Sequence, residues 1–328
     1  MAKIIILGAG FMGQTHANAY KDIEGAEIVA IVDKNAEKGK KLAQEYGAKF
    51  YEDVDECLQK EDSDCVDVCL PTFLHLEMTQ KAADAGKNVL CEKPIALSLE
   101  QADKMIEAIN KNKVKGMIGH VLRFWPEYVK VKELVDSGEL GQSLYGFCQR
   151  LAVTPDWYEN DWGLSEKNSG GVPLDLSIHD LDYLIWLMGE PSIVKAQGVF
   201  NPKMGGIVNI ATNIEFKNGK SGFAEGGWAY GGEFPFTMVL RVLCEKGTID
   251  WLFRAGKNIE QRGQKSLVNV YENSGKTYTL DVEDTDAYSL ECKYFVECIN
   301  NNRPIENATF EDGRKAIELA LAAKKSDR

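Results

Sequence analysis

Between residue 3 and about residue 120 the chain alternates short apolar runs with amphipathic segments. The runs are KIIIL (3–7), EIVAIVD (27–33), KFY (49–51), CVDVCL (65–70), NVLC (88–91) and VKGMIGH (114–120). Helical periodicity fills the intervals near 12–21, 35–46, 53–60, 74–85 and 98–112. Parallel strands need crossover connections, so this βαβα alternation predicts a doubly wound α/β sheet with helices on both faces. Ligands of such sheets bind beyond the carboxyl ends of the strands.

Beyond residue 122 the rhythm changes. A helix is expected near 126–137, a strand at 143–152, an aromatic loop, and one largely apolar helix within GGVPLDLSIHDLDYLIWLMG (170–189). Strand patterns follow near 192–200, 207–216, 221–229, 237–243, 247–253, 267–272 and 276–281, and helices near 286–301 and 309–325 close the chain. Asn218-Gly219 between two strands predicts a hairpin with a type I′ turn, which needs positive φ at both positions. The second half therefore reads as an α+β domain with a large, mostly antiparallel sheet. The expected division is a Rossmann domain over 1–121 and a substrate-binding and oligomerisation domain over 122–328.

Length supports two domains, since 328 residues exceed what one core ordinarily holds. A formal charge of −12, with no basic cluster, disfavours nucleic acid and anionic membrane as partners. No run is long enough to cross a bilayer and no leader is evident, so a cytoplasmic location is expected. The eight cysteines lack CxxC or zinc-ligand spacing and read as buried reduced thiols. Four scattered histidines, at 16, 75, 120 and 179, argue against a metal site, and none is expected.

ILGAGFMGQTHANAY places Gly8-x-Gly10-x-x-Gly13 directly after the first strand and at the start of the first helix. Gly8 permits the tight turn, Gly10 lets a pyrophosphate approach the backbone, and Gly13 allows close helix packing. Phe11 and Met12 belong to the same cofactor-binding turn. Asp33 ends the second strand, where its carboxylate would bind ribose hydroxyls and repel a 2′-phosphate, so NAD is expected over NADP. His16, inside the first helix, reads as structural.

The fifth strand ends in CEKP, putting Glu92, Lys93 and Pro94 on the ligand edge of the sheet. Pro94 forces Lys93 into an extended conformation, which directs the ammonium; a solvated turn is the plainer reading of the motif. Asp175 and His179 interrupt the apolar helix four residues apart, and positions i and i+4 share a helix face. A buried ion pair stabilising a core is the alternative to a catalytic pair. Leu174, Ile178, Leu181, Ile185 and Met188 would form the adjacent core face.

The glycine turn, Asp33, LPTFLH (70–75), CEKP, GHVLRFWP (119–126) and SGGVPLDLSIHDLDYL (169–184) occur in the order shown by the glucose-fructose oxidoreductase / inositol dehydrogenase (Gfo/Idh/MocA) family, which the chain resembles along essentially its whole length. That resemblance implies Lys93, Asp175 and His179 around a substrate hydroxyl and the nicotinamide. It implies reversible hydride transfer from a carbinol carbon to NAD⁺, with His179 as base, Asp175 orienting it or binding a neighbouring hydroxyl, and Lys93 stabilising alkoxide charge. By the same resemblance Leu70, Pro71, Thr72 and His75 line the cofactor, with Glu92 and His120 nearer the nicotinamide. His75 reads equally well as a first-turn helix residue, and many members carry Asn where His120 stands.

Arg123 either binds substrate or ties the domains together. The loop at 153–171 holds Trp157, Tyr158, Asp161 and Trp162, and Trp162 is expected in the substrate pocket, since ring faces pack on the C–H faces of sugars. Trp228 and Trp251 read as sheet packing or oligomer interface. The expected activity is an inositol 2-dehydrogenase-like oxidation of a ring hydroxyl of a cyclic polyol or sugar. A keto-sugar reductase, an NAD-using glycosidase and a non-catalytic dinucleotide sensor are the rivals. One sheet face left bare by helices would make the protein a homodimer or homotetramer.

Overall fold

Capping residues and glycine stops end the elements close to where the periodicity places them. In the computed structural model, residues 1–155, 159–202, 204–256 and 267–326 are described. The first stretch runs β1 (Ala2–Leu7), α1 (Phe11–Lys21), β2 (Ala26–Val32), α2 (Ala36–Tyr46), β3 (Lys49–Tyr51), α3 (Val54–Lys60), β4 (Cys65–Val68), α4 (His75–Asp84), β5 (Asn88–Glu92), α5 (Leu99–Asn112) and β6 (Gly116–Gly119). Next come α6 (Pro126–Ser137), β7 (Ser143–Val153), α7 (Glu166–Ser169), α8 (Val172–Asp175) and α9 (Ile178–Met188). The strands β8 (Pro191–Asn201), β9 (Gly206–Phe216), β10 (Ser221–Tyr230), β11 (Thr237–Cys244), β12 (Gly247–Arg254), β13 (Asn269–Glu272) and β14 (Thr277–Thr279) precede α10 (Ala287–Asn300) and α11 (Phe310–Ser326). Asn35, Asp53, Ser98 and Asp286 accept main-chain N–H groups as N-caps, and Gly47 and Gly138 end α2 and α6 in the left-handed conformation.

The chain forms two compact units, Met1–Phe124 with Thr285–Arg314, and Trp125–Asp284 with Lys315–Arg328. The first segment ends three residues past the expected boundary at 121/122, and α10, expected in the second domain, belongs to the first unit. Its Cys292, Phe295 and Val296 are buried in one cluster with Ile4, Ile6, Ala17 and Tyr20 of β1 and α1. A helix pattern shows that α10 has an apolar face but not what the face meets, so the return of the chain was not readable.

In the first unit six parallel strands are ordered β3-β2-β1-β4-β5-β6, the doubly wound order expected. The order reverses between β1 and β4, so the turns after these strands flank the switch point. Strands β1, β4 and β5 are buried along nearly their whole length, which is why they read as unbroken apolar runs. The outer edge of β6 is covered by Ala308, whose carbonyl accepts from Ile118 N–H at 2.8 Å.

The second unit is built on an eight-stranded sheet ordered β14-β13-β12-β11-β7-β10-β9-β8. Only β7 and β10 pair in parallel; every other neighbouring pair is antiparallel. The turn joining β9 to β10 departs from the type I′ expectation. Gly219 alone takes positive φ (+82°), and its N–H donates to Phe216 C=O, as in a type I turn closed by a left-handed glycine. Asn218 is spent elsewhere: its amide donates to Met188 C=O at 2.7 Å, capping the end of α9. Trp228 and Trp251 are both buried, Trp251 edge-on to Tyr128 and stacked on Phe253, so they serve packing rather than an interface.

The stretch expected as one helix is two. α8 ends at Asp175 and α9 begins at Ile178, with Ser177 N–H donating to Val172 C=O across a wider turn. The cause is long-range: a Cβ on Gly226 of β10 would lie 2.0 Å from Ser177 Oγ, so strand and helix junction meet at closest approach. Asp175 therefore closes one helix and His179 sits in the first turn of the next.

Candidate dinucleotide site and acid–base residues

The glycine turn has the geometry its spacing implies. Gly8 takes φ +104°, and a Cβ there would lie 2.4 Å from Cys69 C=O in the turn after β4. A Cβ on Gly13 would fall 1.9 Å from Gly8 C=O, so helix and turn touch backbone to backbone. At Gly10 a Cβ would meet nothing within 4 Å, leaving the approach open. No side chain caps α1 at Gly10 and no acidic residue stands in its first turn, so the positive end of the helix faces that opening. Asp33 Oδ2 accepts Ala9 N–H at 2.6 Å and Oδ1 accepts Asn35 N–H at 2.6 Å, which anchors the carboxylate against the turn with a lone pair left on each oxygen. An open cradle, an uncapped helix end and an anchored acid fit an adenine dinucleotide lacking a 2′-phosphate.

The remaining expected cofactor residues follow strand ends of the same sheet. Leu70 and Pro71 are half-buried after β4, and Thr72 is buried at the start of a single 3₁₀ turn. His120 is buried after β6. Phe11 is exposed on the first turn of α1, with Met12 half-buried beside it. His75 is buried, its Nδ1 2.9 Å from Pro94 C=O and its Nε2 2.8 Å from Leu70 C=O, so it links the loops after β4 and β5. Burial holds its pKa below the usual imidazole value against the pull of the two carbonyls. Arg123 is buried and ion-paired through Nη1 to Asp312 Oδ2 at 3.0 Å, within the first unit.

Behind Lys93 lies a buried polar network that the periodicity did not reveal. His16 Nδ1 is 2.8 Å from Asp67 Oδ2, which also accepts from Tyr20 OH at 2.8 Å, while the Cys69 thiol donates to Asp67 Oδ1 at 3.3 Å. His16 Nε2 approaches Glu92 Oε1 at 3.2 Å, a charge contact without the alignment of a hydrogen bond. Glu92 Oε2 accepts the Lys93 main-chain N–H at 3.0 Å. His16, Asp67 and Glu291 are fully buried, and neither Glu291 oxygen has a hydrogen-bond partner among the described residues. Burial opposes charge on His16, yet Asp67 beside it holds its pKa well above the usual imidazole range. Burial, reinforced by Glu92, pushes the Glu291 carboxyl well above its usual value. The signal in the sequence is a charged residue inside an apolar run: Asp67 in CVDVCL and Glu291 in the apolar stripe of α10.

In the second unit Asp175 is buried and His179 half-buried, either side of the α8–α9 break. Asp180, another residue the sequence did not single out, is buried against Arg150 of β7, with Nε to Oδ2 at 3.0 Å. Trp162 is half-buried in the 3₁₀ segment Glu159–Leu164. Trp157 and Tyr158 lie outside the described residues. Lys93 belongs to the first unit, Asp175 and His179 to the second.

A dinucleotide turn at the switch point of a parallel sheet defines the class, and comparison with known proteins gives the family. Residues 2–120 match an oxidoreductase family with an NAD-binding Rossmann fold, and residues 128–250 match the GFO/IDH/MocA C-terminal domain. The scyllo-inositol 2-dehydrogenase (NAD(+)) of Bacillus subtilis (strain 168) is 31% identical, covering 98% of this chain and 93% of that one. The myo-inositol 2-dehydrogenase of Thermotoga maritima is 28% identical, with 99% and 96% covered. The crystal structure of apo scyllo-inositol dehydrogenase from Lactobacillus casei matches with a TM-score of 0.80 at 27% identity, covering 99% of this chain and 96% of that one. The chain belongs to the Gfo/Idh/MocA family and is an NAD(P)-dependent dehydrogenase whose Rossmann unit binds NAD.

Proposed function

We propose that the protein oxidises a ring hydroxyl of a cyclic polyol or sugar, with an inositol as the first substrate to test. The observation that carries this reading is its end-to-end similarity to inositol 2-dehydrogenases; Lys93, Asp175 and His179 lie in the CEKP and SGGVPLDLSIHDLDYL motifs of this chain. Bound NAD⁺ supplies the hydride acceptor. His179 takes the hydroxyl proton, because imidazole titrates near neutrality, at about 6.5 when unperturbed. Asp175 orients that imidazole or binds a neighbouring hydroxyl, and Lys93 donates to the substrate oxygen and stabilises the alkoxide that develops. Arg123 has its ion pair with Asp312 to keep, so its part in this reading is to hold the turn after β6 rather than to bind substrate. Trp162 packs on the C–H face of the ring.

Incubation with inositols, aldoses and their keto derivatives, with NAD and NADP side by side and absorbance of the reduced cofactor as readout, tests the reading. Stoichiometric NADH from a cyclic polyol is the expected result. Cleavage of a glycoside without net NADH would replace the reading with transient oxidation. In the variant His179→Ala, loss of the base should lower kcat by about 10² to 10⁴. Turnover at the parent rate would remove His179 from this role. We further read the protein as a cytoplasmic homodimer or homotetramer assembled through its large sheet, its eight free thiols suiting a reducing compartment.

A further inference from the structure

We propose that His16 is a positioning residue for Lys93: it bridges Asp67 and Glu92, and Glu92 in turn holds the main-chain N–H of Lys93. The inference rests on the reading of Lys93 as a catalytic residue.

The chain of contacts is short, and its His16, Asp67 and Glu92 are buried. Asp67 fixes one ring nitrogen of His16 at 2.8 Å, and the other nitrogen stands 3.2 Å from Glu92 Oε1. Glu92 spends its second oxygen on the amide of the very next residue, at 3.0 Å. A carboxylate bonded to the next residue's amide constrains its own side chain and its own ψ, so fixing the Glu92 side chain fixes the plane from which the Lys93 backbone departs from β5. Room for that carboxylate is reserved on the adjoining strand: a Cβ at Gly119 would lie 3.1 Å from Glu92 Oε1.

A purely structural histidine needs less. Asp67 already receives Tyr20 OH and the Cys69 thiol, so it does not depend on His16 alone for its hydrogen bonds. A ring nitrogen of His16, a carboxylate oxygen of Asp67 and the Cys69 sulfur lie within 4.8 Å of one another, near enough to share a metal ion, but hydrogen bonds already tie these groups together. Buried charges are costly unless paired. Asp67, Glu92 and Glu291 stand around the His16 ring, and burial, reinforced by Glu92, raises the Glu291 pKa well above its usual value. Of these carboxylates, Asp67 and Glu92 are the two that His16 touches, at 2.8 Å and 3.2 Å.

The two ring nitrogens can be separated by substitution. Asparagine places its amide near the position of Nδ1 and keeps the Asp67 side; glutamine reaches the position of Nε2 and keeps the Glu92 side. Hydrogen exchange of the Lys93 amide, followed by NMR in the full chain with and without NAD, reads the coupling without any substrate. His16→Asn should speed exchange at Lys93 about tenfold or more, while the amides of Val89, Leu90 and Cys91 stay within about threefold. His16→Gln should leave Lys93 within about threefold of the parent. Equal protection of Lys93 in His16→Asn, or exchange rising uniformly along β5, overturns the proposal. Should His16→Asn fail to fold, Glu92→Gln carries the test: it must speed Lys93 exchange by the same factor, and unchanged protection is again fatal.

Turnover adds the functional half. His16→Asn should lose about tenfold or more in kcat with the Kd for NAD within about threefold, and His16→Gln should recover most of that loss. Melting temperature should follow the opposite order, with His16→Asn the more stable of the two because it keeps Asp67. Activity ranking with stability instead would mean a structural histidine and sink the idea. Lys93→Met separates the two readings: if it turns over normally while His16→Asn still loosens the Lys93 amide, the coupling stands and the role of Lys93 falls.

Discussion

Glu291 is where burial and charge are most at odds, and the conflict has a measurable consequence. His16 of α1, Glu92 of β5, Asp67 of β4 and Asp286 before α10 supply its field. Its folded pKa is raised above the ordinary 4.5, so ionisation costs nothing below that value and progressively more as pH climbs through the folded value. His16 acts in the same sense: its folded pKa is raised above 6.5, and the stability it lends is complete below 6.5 and lost as pH rises through the folded value. Glu291→Gln removes the first contribution and keeps the shape. Its melting temperature relative to the parent should therefore rise as pH climbs above 4.5 and through the folded pKa of Glu291. A difference independent of pH would show that Glu291 is not the titrating group. The residues legible from the sequence were those whose signal is local. Gly8, Gly10, Gly13, Asp33 and Lys93 announce themselves by spacing from a strand end. Asp67 and His16 lie 51 positions apart, and no local pattern links them.

At the scale of elements, strands and helices of both units fall within a few residues of the expected positions because their ends are written in caps, glycines and prolines. The failures share a cause of another kind. The α8–α9 break carries no glycine or proline; it comes from Ser177 against Gly226 of β10, a contact some fifty positions away. The turn at Asn218 is chosen by the carbonyl of Met188, which the side chain caps. The Arg150–Asp180 pair shows what such long-range partners are worth. Both side chains are buried, so Asp180→Ala leaves an unpaired guanidinium under α9, at a cost of about 3–5 kcal/mol in thermal or denaturant unfolding. Replacing both together, Arg150→Met with Asp180→Leu, should recover most of that loss, since well-packed apolar groups often substitute for a buried pair without penalty. Destabilisation by the double variant at least equal to the single one would show that the pair has partners beyond each other.

For the whole molecule, the sheet of the second unit carries the assembly prediction. Val199, Leu243, Leu252 and Tyr271 are exposed on its strands, whereas Trp251 and Phe253, flanking Leu252, are buried, so the pleat presents alternate apolar side chains to solvent. The proposed homo-oligomer predicts that Leu252→Lys lowers the mass seen by light scattering while leaving the melting of a dilute sample near that of the parent. A parent protein monomeric at working concentration would remove the assembly altogether. The division into units adds something that only the traced chain reveals. The first unit is begun at residue 1 but receives its second segment, with α10, only from residue 285, about 160 residues after its first segment ends at 124. A ribosome adding about 5–20 residues each second needs roughly 8 to 32 seconds to cover that gap. Throughout that interval Ile4, Ile6, Ala17 and Tyr20 have been made and the helix that covers them has not. The half that binds the cofactor is thus begun first, yet it is completed only after most of the other unit has been made.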